Sequence, residues 1–111
     1  MDLEILEYTG CDYRPLVAYE SWRVAMLNFG ERFRKVTKLE RHMLTDEVFV
    51  LLHGEATLYI GKEQTPYRME KNKVYNVKHA VWHAITTSED AHVLVVENDN
   101  TSKDNSEYMD V

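Results

Sequence analysis

One cysteine, Cys11, in 111 residues rules out an internal disulfide, so this is not a disulfide scaffold. Cations are in short supply too: 13 Lys and Arg face 19 Asp and Glu, a formal net charge of −6 with a pI near 5.3. Nucleic-acid binding rests on clustered Lys and Arg that release counterions. The one basic stretch, Arg32, Arg34, Lys35 and Lys38, is short and followed by acids, as a solvated loop or strand edge would be. Nucleic acid is therefore not an expected partner. Nor is a membrane, because the longest apolar runs, Val48 to Leu52 and Val93 to Val96, are far below the roughly 20 residues of a spanning helix. The first residues, MDLEILEY, have neither the basic nor the continuous apolar region of an export signal, which makes the cytoplasm the expected compartment. The sequon Asn100-Thr101-Ser102 is then a chance match. Glycine-rich phosphate loops, Walker patterns, Ser or Cys nucleophile elbows, internal repeats and linkers are all missing.

Amphipathic helices are missing as well, which excludes βαβ architectures. What the chain has instead is a succession of short strand signals broken by turns. Ser21 to Phe29, Val36 to Met43, Asp46 to Leu52, Ala56 to Ile60, Thr65 to Met69, Val74 to Val77, Trp82 to Thr86 and His92 to Glu97 all read as strands. Leu3, Ile5, Leu6 and Tyr8 form at most a short element before Thr9-Gly10, and Pro15 forbids a helix across Tyr13 to Val17. No chemistry is visible in that region. Eight or nine strands in a chain this short predict one all-β domain over residues 1–111, closed or sandwich-like and antiparallel, with one site. Residues 98–111 are polar and form either a loose tail or an arm docked through Tyr108, Met109 and Val111.

The stretch Glu40 to Gly54, ERHMLTDEVFVLLHG, carries the chemistry. Glu40 and His42 share one parity, and so do Glu47, Phe49, Leu51 and His53, so two strands aim polar groups at one face. Burying such charges without a partner or a metal costs several kcal/mol or more. Glu47, inward at the head of an apolar strand, therefore calls for a cation or a basic ligand group. His53 abuts the turn glycine and is expected at the rim, and His79 and His92 in loops or at strand ends.

These residues resemble the conserved motifs of the cupin superfamily. His42-x4-Glu47-x6-Gly54 is similar to the second half of the first cupin motif, G-x5-H-x-H-x3-4-E-x6-G. Asn72, Lys78, Ala80, His83 and Thr87 fall on the positions of the second, G-x5-P-x-G-x2-H-x3-N. The resemblance implies a small single-domain protein with a double-stranded β-helix, a jelly-roll-like barrel. It also implies a divalent metal held by His42, Glu47, His83 and Glu40, the last standing where the family's first histidine usually stands. Two His and two Glu lean toward iron or manganese, with zinc and nickel also open. Ala80 replaces a glycine, so the turn before His83 is expected to take another shape. Lys38 shares a face with Glu40 and offers a competing ion pair.

Two functions follow as expectations. In the first, the protein is an enzyme of isomerase or lyase type acting on a small polar metabolite at the metal, with Glu40 as fourth ligand or catalytic base and Lys38 and Phe49 lining the ligand pocket. In the second it binds a carbohydrate or other small ligand without metal or catalysis. A homodimer is expected in either case, because an outer face carrying Leu39 and Met43 would leave apolar area exposed on a lone barrel.

Overall fold

Alternation of apolar and polar residues, with turns at short intervals, leaves this chain few ways to bury its apolar half except as strands that share one interior. The computed structural model describes residues 2–111 and contains ten strands: β1 (Tyr13–Tyr19), β2 (Trp22–Asn28), β3 (Lys38–His42), β4 (Glu47–His53), β5 (Ala56–Ile60), β6 (Thr65–Arg68), β7 (Tyr75–Val77), β8 (His83–Thr87), β9 (His92–Asn98) and β10 (Ser106–Asp110). They form two five-stranded antiparallel sheets ordered β1-β2-β9-β4-β7 and β10-β3-β8-β5-β6. After the β1-β2 hairpin, the chain changes sheet at every connection except β5-β6, which wraps the two sheets around one core. The helical content is two single-turn 3₁₀ segments, Glu31–Phe33 and Lys103–Asn105. Among the described residues no helix is long and apolar enough to cross a membrane.

The core follows the period-two pattern. Phe49 and Leu51 of β4, Val93 and Val95 of β9, Ala25 and Leu27 of β2, Leu58 of β5 and Ile85 of β8 face inward and pack together. Glu47 and Glu97 belong to the same inward rows, so one end of an otherwise apolar interior is polar. Gly54, which closes the first motif, has φ +77°, and a Cβ there would stand 2.7 Å from the Ala91 Cα. Only glycine suits that turn.

Two segments take a definite form, and one expectation needs correction. Pro15 lies in a strand, β1, an edge strand whose register shifts between Pro15 and Val17; an edge with a bulge is where a sheet tolerates proline. The C-terminal residues are no loose tail, since β10 pairs with β3 from Ser106↔His42 to Asp110↔Lys38. This pairing also sets Met109 opposite Leu39 on the same face, and Leu39 is fully buried within the single chain. It therefore offers no apolar area to a second subunit, although Met43 remains partly exposed.

The turn before His83 keeps the shape that glycine normally supplies. Ala80 has φ +63°, the third position of the turn closed by Val81 N–H donating to the Lys78 carbonyl (3.2 Å). Its own N–H donates to the His42 carbonyl at 2.8 Å, which ties the turn to β3 and fixes where β8 begins. The left-handed region costs an alanine about 1–2 kcal/mol, of which a glycine would return roughly half through its greater unfolded-state freedom. Ala80→Gly is thus expected to stabilise the protein by about 0.5–1 kcal/mol, raising Tm by roughly 2–6 °C in a thermal melt. A Tm unchanged or lowered would show that the turn is not strained.

Candidate metal centre

The two sheets meet at one end of the barrel in a cluster of titratable side chains. β3 contributes Glu40 and His42 on alternate residues, and β8, paired to β3 at Glu40↔His83, sets His83 beside them. β4 brings Glu47 from the opposite sheet. Glu47 Oε1 lies 3.2 Å from His42 Nε2 and 3.1 Å from His83 Nε2, while Glu40 Oε1 stands 3.7 and 3.9 Å from the same two nitrogens. One donor atom from each of the four residues falls within 4.8 Å of the others. All but the half-exposed Glu40 are buried.

Tautomers favour the same arrangement. His83 Nδ1 lies 3.0 Å from the Val81 carbonyl, which can only accept, so Nδ1 carries the proton and a neutral ring keeps the Nε2 lone pair for the cluster. His42 Nδ1 lies 2.7 Å from Ser106 Oγ, and donation to that hydroxyl exposes its Nε2 in the same way. Histidines that ligate metals are held by their other ring nitrogen in this manner. Donors about 2.1 Å from a common ion stand roughly 3–4 Å apart, and two imidazoles with two carboxylates suit a first-row divalent ion. The donor set fits such a metal.

Burial pushes the Glu47 carboxyl up, but hydrogen bonds and charge from both histidines more than offset this and hold it at about 2. Burial likewise pulls His42 and His83 down, and Glu47 overrides it, so both stay protonated above the usual histidine value. The register of β4 on β9, with Val48↔Val96 and Phe49↔Val95, continues to Glu47 opposite Glu97. Two facing carboxylates repel. Burial and the charge of Glu47 raise Glu97 to about 6, and Tyr13 Oη donates to it at 2.9 Å while Arg23 stands 3.5 Å away.

A cavity of about 710 Å³ opens over this cluster, with Phe49, Lys38, Glu97 and Tyr13 also on its wall. The Phe49 ring meets His83 edge-on at 6.2 Å between centroids. Lys38 forms no ion pair with Glu40; its Nζ lies over the Tyr108 ring, 5.8 Å from the centroid. His53 is exposed at the far end of β4, 3.4 Å from Asp90, His79 is an exposed turn residue beside Asp46, and His92 bonds Asn28 at 2.8 Å. The structure adds residues that the sequence reading missed. Glu97 was legible, since it shares the parity of Val93 and Val95. Tyr13 was not: it reaches the site from the segment in which no chemistry was visible.

No protein family matches the sequence, and no curated protein resembles it. Solved structures do. Pac13 of Streptomyces, a nucleoside dehydratase solved with uridine, superposes with a TM-score of 0.70 at 7% identity over 93% of this chain and 82% of that one. KdgF from Halomonas gives 0.64 at 14% over 83% and 80%, and iron(II) HppE 0.61 at 18% over 78% of this chain but 50% of the other. These are cupin-fold proteins.

The chain has the cupin fold.

Identities this low speak for the barrel alone. Within this cupin barrel the cluster is already charge-balanced without an ion, which has a measurable consequence. In metal-free protein Glu47 lies below its unfolded value of 4.5, so its contribution to stability is complete above that value and is lost as pH falls toward 2. His42 and His83 lie above 6.5, so theirs is complete below 6.5 and lost as pH rises further. Glu97 opposes folding as pH climbs from 4.5 to about 6, because the unfolded chain releases that proton first. Chelator-treated protein is therefore expected to melt highest near about pH 5 and to lose stability toward about pH 8. Added divalent metal should reverse that slope, since its ligands must shed protons. Thermal melts across the range check this, and a metal-free Tm that climbs steadily from about pH 5 to 8 contradicts it.

Proposed function

We propose that this cupin is a metal-dependent enzyme of lyase or isomerase type acting on a small polar metabolite. The observation that carries the reading is the convergence of two imidazole Nε2 atoms and two carboxylates on one point in the wall of a ligand-sized cavity. His42, Glu47 and His83 are buried closest to that point and would hold the ion, with Glu40, half-exposed and farther from both imidazoles, as the fourth, exchangeable donor. A divalent ion bound there supplies Lewis-acid polarisation of a substrate carbonyl or hydroxyl.

The remaining chemistry belongs to the side chains. Glu40, facing the cavity, takes the proton from the carbon next to the polarised group. Glu97, which keeps its proton up to about pH 6, lines the same cavity and gives that proton to the departing oxygen, which leaves as water when the substrate is a hydroxy compound. Tyr13 and Arg23 hold Glu97 in place. The nucleoside dehydratase Pac13 performs an elimination in a barrel of the same fold, which supports the class of reaction and not the substrate.

A second reading, a metal-free binding barrel for a carbohydrate or similar ligand, draws on the self-neutralising pairing of Glu47 with both histidines. Elemental analysis of protein purified without chelator separates the two. Stoichiometric metal is expected, retained in Glu40→Gln and lost in His83→Ala and Glu47→Gln. Turnover of the metabolite found by thermal-shift screening should fall in Glu40→Gln by about 10²–10⁴-fold. Metal-free wild-type protein that still binds its ligand would establish the second reading.

A further inference from the structure

The charges around the cavity are distributed against the trend of the chain. Its wall carries five Lys or Arg against three Glu, a formal +2, in a protein of net −6; everything outside the cavity therefore sums to −8. The two arginines are already engaged, Arg32 by three bonds to Asp12 and Arg23 by Glu97 and Asp99. Lys35, Lys38 and Lys103 form no ion pair among the described residues. They are exposed and come from three separate places: the loop before β3, β3 itself and the 3₁₀ segment before β10. Glu40, Glu47 and Glu97 gather about the two histidines and Arg23, and among the described residues no carboxylate forms an ion pair with the lysines, Asp110, the strand partner of Lys38, included.

We propose that the cavity selects small molecules bearing a carboxylate or phosphate, which Lys35, Lys38 and Lys103 hold at the mouth while the rest of the molecule reaches the glutamate–histidine cluster. The proposal rests on the reading of this cavity as the substrate site and narrows the substrate class. Exposed lysines are ordinary on a solvated surface, where each sits among acids. Three converging on one concave wall, in a chain so rich in acid, form a local positive field that a cleft focuses on an incoming anion. The same field disfavours cations and gives neutral analogues no advantage.

The test uses the full chain and three probes that share one ring: glucose, glucuronate and glucose 6-phosphate, titrated calorimetrically at low and high salt. At least one anion is expected to bind about 10-fold or more tightly than glucose, the ratio that three exposed ion pairs of ordinary strength give. The advantage should shrink at high salt and vanish in the triple variant Lys35→Met, Lys38→Met, Lys103→Met, whose exposed positions make misfolding a small concern. Preference for glucuronate alone names a carboxylate, and for glucose 6-phosphate alone a phosphate. Absence of binding by both anions, parity with glucose, or an advantage that survives in the triple variant overturns the proposal. Metal content measured on the same samples keeps the readings apart: anion selection without metal retires only the metal site, and a metal-loaded protein without anion selection retires only this inference.

Discussion

The structure depends on one buried carboxylate. Glu47 stands at the head of a strand whose next inward residues are Phe49 and Leu51, and it is almost fully removed from water. An ion in that position is tolerable only when its lone pairs and charge are met, and the two imidazoles from the opposite sheet meet them at 3.1 and 3.2 Å. That contact joins the sheets at their polar end as the apolar rows join them elsewhere. It also dictates the surroundings: Ser106 and the Val81 carbonyl orient the histidines, and the charge of Glu47 adds to burial in raising Glu97 to about 6.

Seen this way, the peripheral segments are parts of the site. β10 closes the sheet beside β3 and supplies the hydroxyl that fixes His42. Ala80, in a backbone region that suits glycine better, binds the His42 carbonyl and so sets the point from which His83 enters the barrel. β1 hangs on the edge of the other sheet through a bulge at Pro15, yet its Tyr13 reaches past β2 to Glu97 on β9. Local strain and edge irregularity are located where side chains are aimed.

These relations also explain how far the sequence could be read. The inward parity of Glu40, His42 and Glu47 was plain, because strands separate faces with a period of two and charges on an apolar face stand out. The spacing to His83 came from the cupin resemblance, and the all-β barrel from the recurrence of short strands. β10 was harder, since Ser106 to Asp110 is a polar edge strand with little apolar alternation, and its pairing depends on β3 rather than on its own pattern. β1 was obscured by Pro15, whose acceptability rests on an edge position that no local signal reports. Leu39 looked like exposed apolar surface, yet it is fully buried within the single chain, opposite Met109 of β10. Fold and site chemistry separate here as well: likeness in shape at 7% to 18% identity speaks for the barrel and not for its chemistry, so the roles proposed for Glu40 and Glu97 stand on their own geometry.

The central claim is that His42, Glu47, His83 and Glu40 surround a single point suited to one divalent ion. Anomalous diffraction from crystals grown with manganese addresses it most directly. The account predicts one strong peak per chain, within bonding distance of both Nε2 atoms and of Glu47, about 2.0–2.3 Å. A peak elsewhere on the protein, or none in the barrel while Glu47 still spans the two imidazoles, would contradict it.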